Sequence, residues 1–84
     1  MEPDNRTRWR CRRGMLENDW LLGHFLAQGY AQLDQEGRDA FERLLDYPDN
    51  VLLDVVMGRQ TTVDEGIARL VPAIRAATQA SAPA

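Results

Sequence analysis

Apolar residues in this chain recur at helical spacing and nowhere alternate cleanly with polar ones. Ile67, Leu70, Val71 and Ile74 fall at i, i+3, i+4 and i+7, the stripe of an amphipathic helix. Leu22, Phe25, Leu26 and Gly29 form a second stripe, with Met15 and Leu21 at its edge. Ala40, Phe41, Leu44 and Leu45 form a third. No stretch reads as a strand, and no Asn-Gly or Asp-Gly pair marks a hairpin. The pattern predicts an all-α fold, a compact bundle of five short helices. A chain of 84 residues holds one small core, so residues 1–84 form a single domain. The ends, 1–4 and 78–84, lack large apolar anchors apart from Met1 and are expected to be flexible.

Local signals set the helix boundaries. The first helix is expected over residues 5–12, ending at Gly14, and the second over 15–28, with Gly29 helping to end it. Asp34 is a good N-cap for the third helix, and Glu36 suits its positive end. Asp46, Tyr47, Pro48 and Asp49 form a turn, with Pro48 or Asp49 opening the fourth helix. Leu52, Leu53, Val55, Val56 and Met57 make that helix apolar nearly all round, which predicts the most buried element of the bundle, closed by Gly58 at C′. Thr62 and Glu65 are spaced as a capping box for the fifth helix. Pro72 lies inside that helix and predicts a kink.

Charge is divided along the chain. All ten basic residues are arginine, and five of them lie between Arg6 and Arg13, where no acid intervenes. The remainder is acidic, and the whole carries a net charge of −3. An arginine arm with an interleaved Trp9 is suited to an anionic or protein surface. The acidic body disfavours nucleic acid. No apolar run reaches the ~20 residues needed to cross a bilayer, so membrane insertion is not expected. The first four residues offer no basic or apolar leader, and the single Cys11 excludes an internal disulfide. A reducing compartment, the bacterial cytoplasm, is the expectation.

Catalytic groupings are sparse. His24 is the only histidine and Ser81 the only serine, and neither has a partner at a recognisable spacing. Cys11 is flanked by Arg10 and Arg12, which would lower its pKa if it were exposed; a small buried packing residue is the plainer reading. Glu17 and Asp19 point about 160° apart on a helix and form no acid–base pair. No metal-ligand spacing, P-loop or dinucleotide turn is present. The residues themselves describe a small helical interaction module with no metal and no cofactor site of its own.

The run Arg-Arg-Gly-Met-Leu-Glu at 12–17, with Asp19 after it and Trp9 and Cys11 before it, resembles the succinate dehydrogenase flavinylation and assembly factors, the SdhE/YgfY-like family. Its hallmark Arg-Gly-x-x-Glu is matched by Arg13, Gly14 and Glu17. The likeness continues through Phe25-Leu26, Phe41 to Asp46, Pro48-Asp49-Asn50, Leu52-Leu53-Asp54 and Met57-Gly58-Arg59, and covers roughly residues 6–75. Asn18 stands where the family usually has an apolar residue, Val55 replaces a common aromatic, and Pro72 interrupts the last helix. The resemblance implies a five-helix bundle that acts as an accessory chaperone, not an enzyme. It implies a partner, the flavoprotein subunit of succinate dehydrogenase and of fumarate reductase, to which FAD becomes covalently attached. The flavin belongs to the partner, and the factor is expected to be a monomer. Arg13, Gly14 and Glu17 are implied as the contact face, supported by Arg6, Arg12, Met15 and Asp19. Arg13 and Glu17 would make charge-assisted bonds to the partner, or alternatively an i, i+4 bridge within the chain. Gly14 would be needed where a side chain blocks close approach. A different class stays open: a regulatory, antitoxin-like protein binding another protein or nucleic acid through the arginine-rich segment. So does a flavin carrier or enzyme in its own right.

Overall fold

The computed structural model describes residues 5–14 and 16–81. Five helices follow one another: α1 (Asn5–Arg10), α2 (Leu16–Gln28), α3 (Gln35–Leu45), α4 (Asp49–Val56) and α5 (Glu65–Ser81), with a 3-10 turn at Tyr30–Gln32 between α2 and α3. There is no strand among the described residues. The periodic stripes become the core as their spacing requires. Leu22 and Phe25 of α2, Phe41 and Leu44 of α3, Leu52 and Val56 of α4, and Ile67 and Ile74 of α5 are fully buried. Phe41 lies at the aromatic centre, 5.3 Å from Phe25 and 5.6 Å from Tyr30 between ring centroids, the latter edge-on. Such pairs add ~0.5–1.5 kcal/mol beyond the area they bury. The Cα radius of gyration is 11.6 Å.

Several helix ends are written locally. The Asp34 side chain accepts the Gly37 N–H at 2.8 Å, capping α3. α4 closes in a Schellman motif: the Gly58 N–H donates to the Val55 carbonyl at 3.2 Å and the Arg59 N–H to the Asp54 carbonyl at 2.8 Å. Gly58 sits at φ +78°, the left-handed conformation that this cap requires.

Elsewhere the structure departs from the sequence pattern. α1 ends at Arg10 rather than 12, because the Cys11 and Arg12 N–H groups bond back to Thr7, Arg8 and Trp9 in a closing turn. α4 is nonetheless the most buried of the helices, as its composition predicts: of its residues only Asn50 is exposed. Leu52, Val55 and Val56 enter the core, but Leu53 is half-buried and Met57 is exposed. α5 packs along both α2 and α3 and also touches α4.

The N-cap of α5 is Asp64, not Thr62. Asp64 Oδ1 accepts the Ile67 N–H at 3.1 Å, while Thr62 Oγ1 accepts the Asp64 N–H at 3.2 Å and bonds the Tyr47 hydroxyl at 2.6 Å. Asp64 is held there by Arg43 of α3, through Nε at 2.7 Å and Nη2 at 3.1 Å. α5 runs through Pro72. Ala68, whose carbonyl loses a helical donor at that proline, is an exposed residue, as is Pro72 itself. The helical backbone continues to Ser81, past the start of the expected flexible segment. The expectations for 1–4, for 82–84 and for Met15 lie outside the described residues.

Candidate interaction surface

The arginine arm folds back on the acidic body. Arg10 pairs with Glu42 and Asp46 of the α3 face, and the Thr7 hydroxyl donates to Glu42 Oε1 at 2.6 Å. Arg13 reaches further in. Its Nε donates to Asp49 Oδ1, Nη1 to the Leu45 carbonyl and Nη2 to the Tyr47 carbonyl, each at 2.6 Å. Its side chain is only 16% exposed. Two arm arginines thus have their charge matched within the chain, which lowers the positive field available to a polyanion. Arg6 and Arg12 are exposed, and Trp9 projects at 73% exposure.

Cys11 sits beneath the arm, nearly buried. Burial pushes its thiol up to about 12, with the negative charge of Glu42 adding to the effect, against the opposing Arg13 and Arg10. The flanking arginines therefore do not activate it; it is a packing residue.

The motif residues lie at the turn from α1 into α2. Gly14 is exposed and has φ +79°, and a Cβ there would meet nothing within 4 Å. Its requirement within this chain is conformational rather than spatial. The carboxylate of Asp19, in the first turn of α2, accepts the Arg13 N–H at 2.6 Å, closing the turn. Arg13 pairs with Asp49 rather than with Glu17, so the i, i+4 bridge is not the one that forms. Glu17 is exposed. Asn18, next to it, is fully buried and donates from Nδ2 to the Asp49 carbonyl at 3.0 Å.

Glu17 stands on the rim of a surface groove of about 650 Å³ between α2 and α4, lined by Trp20, Leu21, Leu53, Met57 and Arg59. Trp20 and Met57 are 40% and 39% exposed, unusual for side chains of that size and polarity. His24 Nδ1–H donates to the Trp20 carbonyl at 3.0 Å, and its ring lies 4.2 Å from the indole, so the lone histidine braces the groove wall. Sequence patterning did not single out Trp20 or Arg59 and placed Met57 in the core. The signal for Trp20 was present: it lies off the Leu22–Phe25–Leu26 stripe. Among the described residues no group of three His, Cys, Asp or Glu is placed to hold a metal ion, and no helix is long and apolar enough to cross a membrane.

A family model described as the flavinator of succinate dehydrogenase matches residues 5–78. The chain is 41% identical over 70 residues to the FAD assembly factor SdhE of Shewanella oneidensis, covering 83% of this chain and 85% of the relative. It is 38% identical over 76 residues to the protein of the same name from Methylococcus capsulatus, covering 90% and 92%. It is 39% identical over 71 residues to that of Idiomarina loihiensis, covering 84% and 79%. These relatives are named as assembly factors, not as enzymes. Matched over most of its length by both the family model and these relatives, the chain belongs to the succinate dehydrogenase flavinator family.

Proposed function

We propose that this protein binds the flavoprotein subunit of succinate dehydrogenase and promotes covalent attachment of FAD to it, acting as an accessory factor in the bacterial cytoplasm. Its family membership supports this reading, as do relatives named FAD assembly factors. The single structural observation that carries the site is Glu17: an exposed carboxylate beside an exposed left-handed Gly14, at the edge of an apolar groove. Exposed aromatic and apolar side chains edged by charge suit a protein partner. Gly14 and Glu17 form the contact face, with the exposed Arg6 and Arg12 as supporting members; Met15, the further supporting member by sequence, lies outside the described residues. Arg13 and Asp19 belong to the same turn. The flavin is the partner's, and the factor works as a monomer with no cofactor of its own. Fumarate reductase, whose flavoprotein poses the same chemical task, is a second client.

Attaching the flavin requires a partner side chain and the flavin to be held in bonding orientation. Orientation is worth up to ~7–11 kcal/mol in an ideal intramolecular case. A small rigid helper supplies part of this by binding one partner conformation more tightly than others. The test mixes apo flavoprotein subunit with FAD, with and without this chain, and reads protein-bound flavin fluorescence after denaturation. Wild type raises it; Glu17→Ala and Gly14→Arg do not. No rise with a competent partner sinks the proposal. Steeply salt-dependent RNA or DNA binding would favour the regulatory alternative instead.

A further inference from the structure

Arg13 precedes Gly14 in the family motif, yet its side chain runs back into the molecule. The three acceptors of its guanidinium, Leu45 O, Tyr47 O and Asp49 Oδ1, all lie at the corner where α3 ends and α4 begins. A helix C-terminus leaves carbonyls without helical donors and favours positive charge. The start of the next helix favours the Asp49 carboxylate by the same rule with the sign reversed. One planar guanidinium satisfies both ends at once. Lysine has three N–H donors but on one nitrogen, and lacks the rigid planar fork that here reaches the three acceptors from three separate nitrogens.

The same corner is held from the far side of Glu17. Asn18 Nδ2 donates to the Asp49 carbonyl, and Asp19 Oδ1 accepts the Arg13 N–H. The residue before Gly14 and the two residues after Glu17 are therefore tied together, and two of the three are tied to Asp49. Between these tied residues, Gly14 and Glu17 are exposed, and Glu17 carries the charge that faces outward. Asp49 lies 36 residues from Arg13 and outside the motif.

We propose that Arg13 and Asp49 are positioning residues for Glu17. Their pair locks the turn at 13–19 onto the α3–α4 corner and fixes the direction in which the Glu17 carboxylate meets the flavoprotein. Arg13 acts through Glu17 and does not itself touch the partner. The presentation step rests on the function proposed above, whereas the clamp is open to test without any partner.

In the free protein, NMR is expected to show the Arg13 Nε–H exchanging with water at least about tenfold more slowly than that of the exposed Arg59, with Asp49→Ala abolishing the difference. Arg13→Lys is expected to speed exchange at the Gly14 and Glu17 amides and leave those of Phe41 and Leu44 unchanged. Equal exchange at Arg13 and Arg59 overturns the clamp. Affinity for the flavoprotein subunit is then measured in a cycle of Arg13→Lys, Glu17→Ala and the double variant. Arg13→Lys is expected to weaken binding roughly tenfold with Glu17 present and less than about twofold with Glu17→Ala. Equal losses on both backgrounds overturn the positioning role, because a direct contact or a general loss of structure acts without Glu17. If Arg13→Lys does not fold, Asp49→Asn, which keeps an acceptor oxygen and removes only the charge, replaces it in the cycle. Wild type that fails to bind the flavoprotein overturns the presentation step and the partner assignment together, and leaves the exchange result to decide the clamp.

Discussion

Arg43 of α3 grips Asp64 with two guanidinium nitrogens, at 2.7 and 3.1 Å, and Asp64 in turn caps α5. One carboxylate thus joins two helices and starts one of them. The Arg43 hydrogen bond, followed by the Ile67 N–H, lowers the Asp64 carboxyl from 3.8 to about 2.

Stability should follow this titration. A carboxyl depressed by folding stabilises fully above its unfolded value and loses that contribution as pH falls through its folded value. Asp64→Asn keeps a capping side chain and removes the charge. The urea midpoint of wild type should exceed that of Asp64→Asn above about pH 4, and the gap should close as pH falls towards 2. A gap independent of pH would show that the ion pair adds nothing.

Gly14 faces open space but sits at φ +79°. Gly14→Ala should therefore destabilise by about 1–2 kcal/mol, and Gly14→Asn by less, since asparagine tolerates the left-handed region. Chemical denaturation of both variants checks this. An unaffected Gly14→Ala would mean that the turn relaxes to another conformation.

Cys11 should be inert in the folded state. Its thiol is buried and raised to about 12, so little thiolate exists near neutrality. Labelling by a coloured disulfide reagent at pH 8 should be far slower in buffer than in urea, and its rate should follow the opening of the fold. Equally fast labelling in both would show that the arm lifts readily.

Trp20 should matter to a partner more than to the fold. It is 40% exposed and lines the groove beside Glu17. Trp20→Ala should weaken flavoprotein binding by about 1–2 kcal/mol, on the scale of an aromatic hot spot, while shifting the thermal midpoint little. Titration of the subunit with both proteins, alongside melting curves, separates the two effects. A large drop in melting temperature with unchanged affinity would place Trp20 in the scaffold instead.

What was legible in the sequence is what local chemistry decides. Asp34 and Gly58 announced their helix ends, because a cap depends on residues within one turn. The core stripe of α3 followed from spacing alone. The start of α5 did not, because Thr62 and Asp64 are both competent caps. The choice between them is made by Arg43, 21 residues away. Likewise Leu53 and Met57 are as apolar as Leu52 and Val56, and only packing against α2 and α5 decides which face of α4 is covered. At the candidate surface, Glu17 was readable through its motif. The hold on the turn was not, because Asp49 is remote in sequence and looks like an ordinary first-turn acid.

The Arg13 clamp draws two of its three acceptors from the main chain, at Leu45 and Tyr47. A carbonyl oxygen is supplied by every amino acid. Mutational drift at positions 45 and 47 therefore leaves this device intact, however it affects packing. Only the Arg13–Asp49 pair is written in side chains, so among related chains these two positions should be lost or kept together.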